Sequence, residues 1–107
     1  TVYHAQPYSH QDPLGNLIYP QYYVDVADVQ QRKQHMLALH VSQKQWLDES
    51  QGLDSYLKTM SDLDEKLGAM SGRYSHAEGW RKHLHLGFCN RDDDPLRTAL
   101  SGSIFQA

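Results

Sequence analysis

Leu53, Tyr56, Leu57, Met60, Leu63, Leu67 and Met70 recur at helical spacing, with steps of three and four residues linking them along the stretch. That spacing puts them on one face of a helix, read from about 53 to 70. Such a stripe must be covered by something, so the fold needs other elements to pack on it. Gly68 or Gly72 can end the helix. A second helix is read from about 28 to 47, with Asp25 or Asp28 as its cap. Val29, Met36, Leu39, Gln43 and Trp46 fall near one face of it, with Leu37 and Val41 to one side. Gln30, Gln31, Arg32 and Lys44 supply its wet face. "DESQG" breaks the pattern between the two.

The rest of the chain is less regular. Pro7, Pro13, Gly15, Asn16 and Pro20 interrupt residues 1 to 22, which read as an irregular loop, and "DPLGN" is a turn signal. "YYVDV", 22 to 26, is β-branched and aromatic and reads as a short strand or extended lead-in. Residues 73 to 91 are mixed. "DDDPLRTAL" predicts a short helix with an aspartate cap and Pro95 in its first turn. The tail "SGSIFQA" is expected to fray or to dock through Ile104 and Phe105.

Composition narrows the function classes. The 107 residues suffice for one small domain. A net charge of −3 leaves no basic surplus to displace counterions from DNA or RNA, so a nucleic-acid partner is not expected. The aliphatic run Met36-Leu37-Ala38-Leu39 is far too short to span a bilayer, so no membrane partner is expected either. Cys89 is the only cysteine, which excludes an internal disulfide and fits a reducing compartment; a cytoplasmic location is the expectation.

"YSHAEGWRKHLHLGFCNRDDDPL", 74 to 96, raises a metal site. In an extended segment His83 and His85 would share a face. His76, Cys89 and Asp92 to Asp94 are the nearest further ligands, and a catalytic zinc usually takes three from the protein. The competing expectation is two partly buried or interface histidines beside Trp80 and Phe88. The aspartates are equally explained by a helix N-terminus.

Three ordered motifs resemble one family. Lys33, Ala38-Leu39-His40 and Ser42-Gln43 resemble the "K…AL.aH.SQ" helix in the second half of LmbE-like (PIG-L) deacetylases. "YVDV", 23 to 26, resembles the segment leading into that helix. Ala77-Glu78-Gly79-Trp80 is similar to the family's "AEGF" ending. The resemblance implies a zinc-dependent de-N-acetylase of N-acetylglucosamine-type sugars on a Rossmann-like α/β fold. There, zinc polarises the amide carbonyl and acidifies its bound water, and an aspartate takes the proton. The hallmark His-Pro-Asp-Asp is absent, and "HQDP" at 10 to 13 has the wrong order. The resemblance thus implies zinc for the whole enzyme but assigns no zinc ligand here.

The expected fold class is α/β: one partial domain, residues 1–107, with an irregular loop at 1–22 and a mainly helical C-terminal portion at 23–107 carrying one or two short strands. The chain begins with Thr1 rather than methionine, which agrees with a piece of something longer. In the resemblance His40 takes the "H.SQ" position and is the catalytic candidate, orienting the oxyanion or bonding a sugar. Its other reading is a helix histidine tied to a backbone carbonyl or to Glu78. Ser42 and Gln43 are expected to tie the helix end to loops, and Glu78 to pair with Ser42 or Arg81. His4, Tyr8 and His10 are candidates for substrate binding, because in the resemblance their loop lines the substrate mouth and aromatic faces with polar tips suit sugars; the competing expectation is a solvated loop. The expected partners are an N-acetylated sugar and either the N-terminal half of the same enzyme or a second copy. A different class remains open: a small helical interaction module without catalysis, pairing through the Leu53 to Met70 stripe.

Overall fold

A computed structural model describes residues 1–51, 55–87 and 90–107. Four short strands form one sheet: β1 (Tyr3–Ala5), β2 (Tyr22–Asp25), β3 (Ala77–Lys82) and β4 (Ile104–Gln106), in the spatial order β1-β3-β2-β4. Helices α1 (Gln30–Ala38), α2 (Val41–Gln51) and α3 (Ser55–Ser71) lie between β2 and β3 in the chain. The short helix α4 (Pro95–Ala99) precedes β4. The chain is therefore mixed α/β. Among the described residues, all strand pairings are antiparallel.

The sheet is larger than one or two strands because two of its members carry no alternating apolar pattern. β1 is Tyr-His-Ala with two of its three residues exposed. It is held by register, Tyr3 opposite Lys82 and Ala5 opposite Trp80, rather than by burial. β3 has Ala77 and Gly79 at buried positions, small residues that sequence patterning does not mark as strand. Gly79 is required there: a Cβ would lie 2.5 Å from Pro20 Cγ. The tail docks, with Phe105 opposite Tyr23 and their rings stacked at 5.3 Å between centroids.

α3 covers one face of the sheet. Leu67 packs with Tyr23 and Ala77, flanked by Met70, Tyr74 and Phe105. The predicted stripe is thus used within the chain at its C-terminal half; Leu53 lies outside the described residues. Gly72, at φ +69, supplies the left-handed stop. Gly68 does something else. It is buried, and a Cβ there would meet Ser75 O at 2.4 Å, so the absent side chain lets the helix and the following loop approach.

The single helix expected from 28 to 47 is two helices. A 3-10 turn at Ala27–Val29 leads into α1, which ends in three-residue closures, Leu39 N–H to Met36 O and His40 N–H to Leu37 O. α2 then starts at Val41, and both helices pack on α3. The face turned inward is also different. Met36, Leu39 and Trp46, read onto the apolar face, and Val41, read to one side of it, are each about 59–67% exposed. Ion pairing sets the rotation of α1: Lys33 bonds Asp64 of α3, and Gln30, assigned to the wet face, bonds the same carboxylate at 2.9 Å. No helix among the described residues is long and apolar enough to cross a membrane.

Candidate functional site

The "DPLGN" turn forms as read. Asp12 accepts from the N–H groups of Leu14 and Asn16, and Gly15 takes φ +84. It returns the chain so that Gln11 bridges Leu17, and this positions the segment before it. In that segment Ser9 and His10 both adopt left-handed backbone, φ 60 and 59. Two successive non-glycine residues in that region are held only where the surroundings demand it.

Here the demand is met by His10, which is 4% exposed and reaches α3. Its Nε2 lies 2.9 Å from Leu63 O. A carbonyl only accepts, so Nε2 carries a hydrogen, which leaves Nδ1 as the ring's other polar atom. That Nδ1 is buried with no partner among the described residues. Gln6 repeats the arrangement: its Nε2 donates to Ile18 O at 2.8 Å, and its Oε1 is buried and unbonded among the described residues.

Gln6, Tyr8 and His10 border a cavity of about 530 Å³ between this segment, Leu37 of α1, and Tyr56, Met60 and Leu63 of α3. The volume is within the range of small-molecule sites. Asp64 also lines it, held by Lys33 at 2.5 Å and Gln30 at 2.9 Å. Lys33 also bonds Glu78 at 2.8 Å. Glu78 therefore pairs with Lys33 rather than with Ser42 or Arg81. Burial works against the Lys33 charge, but hydrogen bonds and attraction from Asp64 and Glu78 outweigh it and raise the ammonium pKa.

The candidates from sequence do not all converge. Tyr8 and His10 line the cavity, with Tyr8 at its rim and 78% exposed. His4 is on β1, exposed, its Nε2 at 2.6 Å from Nδ1 of His83. His40 is exposed at the α1–α2 break, and its ring makes no hydrogen bond among the described residues. Ser42 and Gln43 are exposed in the first turn of α2. Sequence reasoning missed Gln6, Tyr56, Met60 and Leu63 as cavity residues. The last three were visible only as parts of an apolar stripe.

The histidine-rich stretch gathers His4, His83 and His85, the last two with ring centroids 6.1 Å apart. Among the described residues, no group of three or more His, Cys, Asp or Glu is arranged to hold a metal. Cys89 and Phe88 lie outside those residues. The described residues therefore form no zinc centre by themselves, and the resemblance assigns this chain no zinc ligand.

Asp94 has a structural task. It caps α4 through the Arg97 N–H, accepts from Tyr22 Oη at 2.5 Å, and accepts from Tyr3 Oη. Burial acts to raise its pKa, but these donors outweigh burial and hold it below the usual carboxylate value. Burial, followed by the hydrogen bond to Asp94, pushes Tyr22 up to about 12.

No family model, curated protein or solved structure matches this chain.

Proposed function

We propose that this chain is the C-terminal portion of an LmbE-like, zinc-dependent de-N-acetylase acting on an N-acetylglucosamine-type sugar. The observation that carries the reading is the meeting of the three motif segments. "YVDV" lies in and just beyond β2 and pairs with "AEGW" on β3, Val24 opposite Glu78. Lys33 of the "K…ALH" helix bonds the glutamate of "AEGW". Segments quoted separately from the sequence thus share one strand pair and one ion pair. In this reading the sheet is an antiparallel margin of a larger Rossmann-like sheet, and the zinc ligands and general base lie in the N-terminal half. The enzyme works in the cytoplasm. His40 and His4 act only once that half is present, while Tyr8 and His10 line the substrate side.

The exposed apolar side chains of α1 and α2 support a missing neighbour. Met36 of α1, Leu39 at its C-terminal cap, and Val41 and Trp46 of α2 face solvent. The same surface favours the second reading, an interaction module without catalysis. Native mass spectrometry of the complete polypeptide that carries these residues separates the two. Zinc bound to an upstream His-Pro-Asp-Asp segment supports the deacetylase. A metal-free assembly of a polypeptide lacking that segment rejects it.

A further inference from the structure

We propose that the pocket between the end of β3 and α4 binds a phosphate group. The pocket measures about 340 Å³. Three cations line it: Lys82, the last residue of β3, Arg91 in the segment before α4, and Arg97 on α4. Among the described residues none of the three forms an ion pair. The cluster is a local exception in a chain whose net charge is −3.

Lys82 is the informative member. It is 9% exposed, and its Nζ donates to Arg91 O at 2.9 Å. An ammonium has three donors, and a buried charge is ordinarily paired with an opposite one. The acids beside it do not meet that need. Asp94 accepts from Tyr3 Oη on one oxygen and from Tyr22 Oη on the other, and it caps α4 through the Arg97 N–H. It attracts Lys82 only from beyond ion-pair distance. Asp92 also lines the pocket but is exposed.

The two arginines have donors to spare. Arg97 Nη1 reaches Gln106 Oε1 at 3.5 Å, and Arg91 is exposed. Each guanidinium carries five N–H groups in a planar fork. A phosphate monoester brings a charge of about −1.5 to −2 and three strong acceptor oxygens. Those oxygens suit two forks and one point charge, whereas a single carboxylate offers one charge and two oxygens. The volume leaves room for a small organic group beside the phosphate. The site uses neither His40 nor Tyr8 and His10, so it stands or falls apart from the deacetylase reading.

The test is isothermal titration calorimetry of the complete polypeptide that carries these residues, with inorganic phosphate, phenyl phosphate and benzoate as probes. Arg91→Gln and Arg97→Gln, at exposed positions that do not threaten folding, should each weaken phosphate binding about tenfold, the loss of one charge-assisted contact. Asp92→Asn removes a like charge and should tighten it several-fold. Tighter binding of phenyl phosphate than of inorganic phosphate assigns the group to an ester on a small molecule; equal binding assigns it to free phosphate. A phosphate affinity indifferent to both arginine substitutions overturns the site, and so does benzoate binding as tightly as phenyl phosphate.

Discussion

Lys33 of α1 bridges Glu78 of β3 at 2.8 Å and, with the same ammonium, Asp64 of α3 at 2.5 Å. One side chain thereby ties the helix layer to the sheet and fixes which face of α1 turns inward. Asp64 is 7% exposed, so it depends on this pairing more than a surface carboxylate would.

Replacing Lys33 by methionine should destabilise the chain by about 1–3 kcal/mol, since Gln30 remains to bond Asp64. Urea unfolding of the variant measures it. A loss near zero would show that the bridge is idle.

The same bridge sets an alkaline limit. The Lys33 pKa is raised in the folded chain above its ordinary 10.5. The stabilisation is then fully present below pH 10.5 and fades as pH rises through the folded value. Stability measured from pH 9 upward should fall less steeply in Lys33→Met than in the parent.

Tyr22 and Asp94 make a second pH-linked pair. Tyr22, pushed up to about 12, contributes stability below pH 10.0 that is lost as pH climbs through about 12. Asp94, held low, contributes above pH 3.8 and loses its contribution as pH falls through its folded value. Tyrosinate absorbance should show Tyr22 among the last of the seven tyrosines to ionise. Asp94→Asn should bring that step to lower pH and cost about 1–2 kcal/mol through the weakened cap and hydroxyl bonds. An unchanged titration would mean that Asp94 does not hold Tyr22.

Gly68→Ala should destabilise by about 1–3 kcal/mol, although alanine favours helices. The added methyl group meets main-chain Ser75 O at 2.4 Å, and a backbone atom cannot rotate away. Thermal unfolding reads the effect; a stabilised variant would contradict the packing.

These relationships mark what the sequence made legible. The α3 stripe, the Pro95 helix with its aspartate cap and the "DPLGN" turn could be read because each rests on local chemistry. β1 and β3 could not, because Tyr-His-Ala and Ala-Glu-Gly-Trp have no apolar alternation and are strands by pairing alone. The orientation of α1 was misjudged for a related reason. Met36, Leu39 and Trp46 give an apolar face on paper, but Lys33 and Gln30 find Asp64, and that partner is visible only in three dimensions. The cavity had the same obstacle. Tyr8 and His10 stood out as an aromatic and a titratable group, whereas Gln6 is ordinary until its amide is seen fixed on Ile18.

Acetate release from di-N-acetylchitobiose by the complete polypeptide that carries these residues tests the central claim most directly. The account predicts release that stops on metal chelation, returns with zinc, and is absent from the 107-residue chain alone. No release by the zinc-loaded complete polypeptide, or release by the isolated chain, would contradict it.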